Sequence, residues 1–292
     1  MFDSTQPGPP GVLAIVATPI GNLRDITLRA LDVLKAADLV AAEDTRVSQH
    51  LLSAYGLQAR MLAVHEHNEA TAAGKVIEAL RSGQRVAYIS DAGTPGVSDP
   101  GARLVRAVRA AGLPVLPVPG ASALAAAVSV CGFEGPFLFH GFLPAKGAAR
   151  RKALESLRES PAVLVFYEAP HRIEETVTDL VEVLGSTREL CFARELTKRF
   201  EQVHVCAMGD APAWLAADEN HRRGEFVLLV SAPPAVVATD DEESRRILAV
   251  LLEDLPVKQA AQVAAKLTGA RKNALYELAL QMKQSVENAD DE

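Results

Sequence analysis

The sequence lacks the residue pairings that announce metal and disulfide chemistry. Its three cysteines, Cys131, Cys191 and Cys206, stand far apart, no CxxC pair occurs, and no histidine stands where it would complete a zinc site. A scattered, odd set of thiols argues against a disulfide framework and fits a reducing compartment, so no metal is expected. No apolar run approaches membrane-span length, and the Pro/Gly-rich start carries no basic residue. Neither a membrane span nor a signal peptide is therefore expected, and the protein reads as cytoplasmic. Aromatic residues make up only 5% of the chain, too few for the base stacking that grips single strands. A formal net charge of −7 argues against coating nucleic acid by bulk charge but leaves room for a local basic patch. No GxGxxG opens a helix after the first apolar run, so the dinucleotide-type fingerprint is also missing.

What is present is a repeated strand-end pattern. Val86 to Ile89 reads as a buried strand and Ala102 to Ala111 as a helix. Between them runs Ser90-Asp91-Ala92-Gly93-Thr94-Pro95-Gly96-Val97-Ser98-Asp99-Pro100-Gly101, a loop of small residues stiffened by two prolines. Open α/β sheets bind ligands at such strand ends. Val12 to Ala17 ends likewise in Thr18-Pro19-Ile20-Gly21-Asn22, Leu39 to Ala42 in Glu43-Asp44-Thr45-Arg46, and Val115 to Val118 in Pro119-Gly120-Ala121-Ser122. Together these ends predict one ligand site assembled from several loops.

The 292 residues, 49% of them hydrophobic, suffice for two ordinary domains. After a flexible start at residues 1–11, residues 12–120 alternate strand and helix, which predicts a largely parallel sheet. The pattern restarts over 121–232 with more closely spaced strands, which predicts hairpins and a mixed sheet. The fold class is therefore α/β, with two α/β domains. Residues 233–284 read as a linker at Ser231 to Ala235 followed by three short helices, 242–252, 257–267 and 271–283. Those helices read equally as a helix-turn-helix-like module or as an amphipathic appendage. Residues 285–292 are acidic and expected to be disordered.

Six ordered motifs carry a family resemblance. Thr18-Pro19-Ile20-Gly21-Asn22-Leu23, Ala42-Glu43-Asp44-Thr45-Arg46, Ser90-Asp91-Ala92-Gly93-Thr94-Pro95, Gly141-Phe142-Leu143-Pro144, Phe166-Tyr167-Glu168 and Ala193-Arg194-Glu195-Leu196-Thr197-Lys198 stand in consistent order, and Arg271-Lys272-Asn273-Ala274-Leu275-Tyr276 adds a tail segment. The chain resembles the ribosomal RNA small-subunit methyltransferase I (RsmI) family, within the tetrapyrrole-methylase-like superfamily. The resemblance implies a tetrapyrrole-methylase-type fold with S-adenosyl-L-methionine in the interdomain cleft. It implies methyl transfer to the ribose 2′-hydroxyl of a cytidine in 16S ribosomal RNA at the decoding centre. It also implies a homodimer, with the small ribosomal subunit as partner.

Candidate residues follow. The loop Asp91, Ala92, Gly93, Thr94 and Pro95 is expected to meet the methionine portion of the cofactor, and the helix start at Ser122 and Ala123 to offer backbone donors. By the family pattern Pro19, Phe142, Tyr167 and Leu196 line the remainder, near the adenosine. Glu43, Asp44, Glu168 and Lys198, with His171 and Glu195, are candidates for a base that accepts the hydroxyl proton; alignment without a dedicated base stays open. Arg46, Lys146, Arg150, Arg151, Lys152, Arg172, Arg194 and Lys198 are candidates for a phosphate-facing RNA surface, beside Arg158, Arg199 and His221-Arg222-Arg223. Two other readings are a corrin or porphyrin methyltransferase and a non-enzymatic RNA-binding or assembly protein.

Overall fold

The computed structural model describes residues 9–65, 68–233, 240–268, 270 and 272–287. The chain divides at Pro233 into two compact units. The boundary expected near residue 120 falls inside the first unit, where it separates two sheets rather than two units.

The first sheet grows from short apolar strands. β1 (Leu13–Val16), β2 (Leu39–Ala42) and β4 (Val86–Ile89) bury nearly every side chain, as strands covered on both faces do. With β3 (Met61–Ala63) and β5 (Val115–Val118) they run parallel in the order β3-β2-β4-β1-β5. Side-chain alternation splits the core between the two faces. Leu13, Leu39, Val86 and Tyr88 pack on α3 (Glu69–Arg81) and α4 (Ala102–Ala110). Ala14, Val16, Val40 and Ile89 pack on α1 (Leu28–Ala36) and α2 (Thr45–Ala54). Thr27 and Asp44 start those two helices by accepting from the amides of Ala30 and Arg46. The sequence reading omits β3, a three-residue edge strand too short to show a period.

The second sheet is mixed, as expected. β6 (Phe137–Phe142), β7 (Val163–Glu168), β8 (Glu189–Arg194), β9 (Gln202–Ala207) and β10 (Phe226–Val230) lie in the order β6-β7-β10-β8-β9, and within it only β6 and β7 pair in parallel. One face, with Leu164, Phe166, Phe192 and Leu228, packs on α6 (Gly147–Glu155), α7 (Ile173–Leu184) and α8 (Ala211–Ala217). The other, with Val165, Cys191 and Val227, packs on α5 (Ala123–Cys131). α8 is missing from the sequence reading; its Pro212 sits in the first turn, where a missing N–H is harmless. The sequence predicts a helix from Ala148 to Glu159, and α6 stops four residues short of that end, at Glu155.

The second unit holds α9 (Asp240–Asp254), α10 (Val257–Thr268) and α11 (Lys272–Glu287), packed through Leu248, Ala260, Ala264, Leu275 and Ala279. α11 runs to Glu287, so the segment expected to be disordered from residue 285 begins as helix. The start at 1–8, the linker at 234–239 and the end at 288–292 lie outside the described residues. No helix among the described residues is long and apolar enough to cross a membrane.

Candidate cofactor cavity

The carboxyl ends of β1 and β4 are tied together before any ligand is considered. Thr18 and Gly93 exchange both backbone hydrogen bonds, at 2.9 and 3.0 Å. Gly93 sits at φ +74°, a conformation that side chains rarely adopt, and a Cβ there would stand 3.3 Å from the Ile20 side chain. Thr94 Oγ1 donates to the Ala121 carbonyl at 3.0 Å, which ties this loop to the start of α5.

These loops and the strand ends of the second sheet enclose a cavity of about 360 Å³. Of the residues expected to bind the cofactor, Ala92, Gly93, Thr94, Ser122 and Ala123 line it from the first side and Phe142, Tyr167 and Leu196 from the second. Glu168 and Lys198 line it as well. Pro19 and Pro95 are buried and do not line it; they stiffen the turns behind the wall. Asp91 does not line it either, because its Oδ1 accepts from the Asp44 amide at 3.0 Å and joins the ends of β2 and β4. The donor expected at the α5 start is partly taken: the Leu124 amide donates to the Tyr167 hydroxyl at 3.1 Å.

Sequence reasoning missed Ile20, Val97, Ser98, Asp99, Phe226 and Val227 in the wall. Phe226 and Val227 read as plain core strand, and only their place on the central strand of the second sheet brings them there. A signal for Ser98 and Asp99 existed, since they lie in the same small-residue loop. Among the described residues, the non-glycine residues with positive φ are Ser98 (+62°), Glu195 (+51°) and Thr197 (+65°). All three sit in the two loops that wall the cavity, and such strain clusters at functional sites.

Charges in the site differ in their partners. Glu168 is fully buried and accepts from the Ala169 amide at 2.8 Å and the Thr176 hydroxyl at 2.6 Å, with Arg172 Nε at 3.4 Å. Lys198 Nζ lies 2.8 Å from Glu195 Oε1 and 2.9 Å from Glu225 Oε2. Those hydrogen bonds outweigh burial and raise the ammonium pKa, while the same contact lowers that of Glu195. Asp44 caps α2 and pairs with Arg46 at 2.7 Å, which holds its carboxyl down at about 2. Burial raises Glu43 and Asp99, and the carboxylate of Asp91 adds to both shifts. Glu43 and Asp44 stand behind the cavity wall rather than in it.

Residues 12–212 match the family Tetrapyrrole (Corrin/Porphyrin) Methylases, and residues 238–283 match the RsmI C-terminal HTH domain. The chain is 47% identical to the ribosomal RNA small subunit methyltransferase I of Escherichia coli O157:H7, over 94% of this chain and 96% of that protein. It is 49% identical to the protein of the same name from Pseudomonas aeruginosa, over 93% and 97%. This chain belongs to the ribosomal RNA small subunit methyltransferase I family. Solved corrin and porphyrin enzymes share the fold at much lower identity. A cobalt precorrin-4 methyltransferase aligns with a TM-score of 0.57 at 16% identity, over 76% of this chain and 95% of that one. Uroporphyrin-III C-methyltransferase from Thermus thermophilus aligns at 0.54 and 22%, over 76% and 94%.

In this member of the ribosomal RNA small subunit methyltransferase I family, several cations expected to face RNA are internal. Arg150 is buried, with Nε 2.5 Å from Asp179 Oδ2 and Nη2 3.2 Å from Glu175. Arg194 is buried and donates to the Arg223 carbonyl and to Gln202, both at 3.0 Å. Arg172 donates to the Leu143 carbonyl at 2.7 Å. These three hold loops together, and Lys198 is neutralised by its two carboxylates. Arg46, with a side chain 87% exposed, remains on the surface with Arg151, Lys146 and Lys152. Arg46 keeps its Asp44 partner, and Arg151 lies 2.9 Å from Asp179.

Proposed function

We propose that this chain transfers a methyl group from S-adenosyl-L-methionine to the ribose 2′-hydroxyl of a cytidine in 16S ribosomal RNA, presented by the small ribosomal subunit near its decoding centre. The observation that carries this reading is the cavity walled by Ala92, Gly93 and Thr94 on one side and by Phe142, Tyr167 and Leu196 on the other, in a chain nearly half identical to proteins named for ribosomal RNA methylation. Its volume of about 360 Å³ falls within the range of small-molecule sites, ~300–1,000 Å³. The residues present fit the cofactor. Gly93 keeps the wall thin, since a Cβ there would press on Ile20 of the same wall, and the apolar groups of Phe142, Leu196 and Val227 offer a slot for a flat ring.

S-adenosylmethionine, when bound, supplies an activated methyl group on a sulfonium. The protein's own part is geometric. The wall at Ala92 and Thr94 would hold the amino-acid end, and the aromatic and aliphatic wall would fix the ring and exclude water. The exposed Arg46, Lys146, Arg151 and Lys152 meet phosphates and bring the sugar to the cavity mouth. Alignment of this kind is worth ~7–11 kcal/mol in favourable cases.

Mass mapping of 16S ribosomal RNA with and without the protein tests the reading, which expects one ribose methyl to disappear. An unchanged map sinks it. The Gly93→Leu protein, folded, is expected to lose cofactor binding in calorimetric titration, and unchanged affinity removes this cavity from the proposal.

The same reading includes a homodimer. α5 alone covers one face of the second sheet, and Val130, Phe137, Val203 and Val205 stay exposed beside it. A second copy would cover that apolar margin. Sedimentation of the wild-type and Val205→Glu proteins checks this, with a shift to monomer expected in the variant.

A further inference from the structure

Resting on the methyl-transfer reading, we infer that Asp99 is the carboxylate that accepts the proton of the attacking ribose hydroxyl. The wall of the cavity brings few groups able to do so. Its carboxyl side chains are Asp99, Glu168 and Glu225, and its amine is Lys198. Both oxygens of Glu168 are already engaged, by the Ala169 amide and the Thr176 hydroxyl, and the side chain has no exposed surface. Glu225 is 79% exposed and its Oε2 holds Lys198. Lys198 stands between two carboxylates that stabilise its proton. Asp99 alone of the four has no ion pair among the described residues, and the Ser90 hydroxyl near it donates to the Ala92 carbonyl at 3.2 Å.

Position as well as freedom singles it out. Asp99 follows Ser98, whose φ of +62° turns the chain abruptly at the cavity edge. The turn is pinned from the second sheet, because Gly141 of β6 lies so close that a Cβ there would stand 2.6 Å from Ser98 Oγ. A strained residue clamped between two sheets fixes where the next side chain points. The titratable groups that interact electrostatically with Asp99 among the described residues are Asp91 after β4, Glu43 at the end of β2, Tyr88 on β4 and Tyr167 on β7. None is a cation. Half-burial and the charge of Asp91 both raise the carboxyl pKa, which makes the carboxylate a stronger base than a solvated one.

The step balances simply. The hydroxyl O–H bond breaks toward Asp99 as the oxygen–methyl bond forms. The methyl–sulfur bond breaks and its electron pair remains on the donor's sulfur. Asp99 then returns its proton to solvent, so each turnover releases one proton.

The test uses the full-length protein and small ribosomal subunits lacking the modification. Asp99→Asn is expected to keep S-adenosylmethionine affinity within about threefold while single-turnover methylation falls about 100-fold or more. The wild-type rate rises with pH at unit slope and levels off above the Asp99 pKa; the variant loses that rise, and Asp99→Glu restores part of both rate and slope. In the protein alone, the Asp99 carboxyl carbon, assigned through the Asp99→Glu variant, is expected to titrate above the ordinary aspartate range. An Asp99→Asn protein with the wild-type rate or pH profile overturns the inference. So does a loss of cofactor affinity as large as the loss of rate, which would make Asp99 a donor-binding group. A carboxyl titrating at or below the ordinary range overturns it without any variant having to fold. A wild-type protein that methylates no ribosomal RNA fails at the broader reading, and this one falls with it.

Discussion

The two sheets bring opposite electrostatics to the same cavity. Loops of the parallel sheet set Glu43 and Asp99 near Asp91, and burial and like charge raise both pKa values. Loops of the mixed sheet pair what they bring: Glu168 with Arg172, Glu195 and Glu225 with Lys198. Matched charges hold loops in place, as Arg150 and Asp179 do beneath α6 and α7. Asp99, in the cavity wall, has no such partner, and perturbed groups gather where a reaction needs them. The parallel sheet shapes the cavity mainly with backbone and small residues, and the mixed sheet mainly with side chains.

The largest expected effect breaks the structural half of that contrast. Arg150→Met leaves Asp179 buried, with side chains of the pair only 3% and 5% exposed. Removing one partner of a buried pair costs about 3–5 kcal/mol. Arg151, 2.9 Å from Asp179, softens the loss toward the lower figure. Urea unfolding measures it. A variant with wild-type stability and weakened binding to ribosomal RNA would return Arg150 to the surface role its sequence context suggested.

Gly101→Ala attacks the backbone half. Gly101 sits at φ +128° and an added Cβ would meet the fully buried Tyr88 ring at 2.6 Å. Backbone strain of this kind costs ~1–3 kcal/mol and overpacking a similar amount, so a loss of about 3 kcal/mol in urea unfolding is expected. A loss below about 1 kcal/mol would mean that the loop can shift and that its shape is not fixed by small residues.

That difference between halves also explains what the sequence made legible. The parallel sheet is readable because β1, β2 and β4 are short apolar runs ending in loops of small and polar residues, and the loop at 92–94 lines the cavity. Arg150 and Arg194 are buried, against expectation, because charge carries no direction in a linear string. Lys146, Arg150, Arg151 and Lys152 look alike in sequence, yet the helical turn of α6 buries Arg150 against α7 and leaves Lys146 and Lys152 outside. The partner Asp179 lies 29 residues away, beyond any local pattern. Glu168 looked like a base for the same reason: nothing nearby in sequence announces Thr176 as its donor. Asp99 was overlooked although it stood in the most informative loop, because its role depends on contacts from another sheet.

Lys198→Met is a milder test of pairing. Its stem packs against Gly21, and Met preserves much of that contact while removing the charge. Lys198 is 29% and Glu225 79% exposed, so solvent screens the pair, and a stability loss within about 1 kcal/mol is expected. Thermal unfolding at low and high salt checks it. A loss several times larger would show that the mixed sheet depends on this pair for its loop.

The smallest effect has the opposite sign and separates the two classes of carboxyl. A carboxyl whose pKa is raised by folding contributes stability that is complete below its unfolded value, about 3.9 for Asp, and is lost as pH climbs through the raised value. Asp99 and Glu43 fall in this class. Glu195, lowered by Lys198, does the reverse: its contribution is present above its unfolded value and is lost as pH falls through the lowered one. Asp99→Asn should therefore leave stability at pH 7 unchanged or raise it by a few tenths of a kcal/mol, with Asp99 partly solvated, and should flatten the decline between pH 4 and neutrality. Glu195→Gln should lower stability at pH 7 and erase a decline on the acid side. Urea unfolding of both variants across that pH range reads the two slopes. If Asp99→Asn were destabilising at neutral pH, Asp99 would be a structural partner like those of the second sheet, and the division of labour between the sheets would fail at the residue on which it most depends.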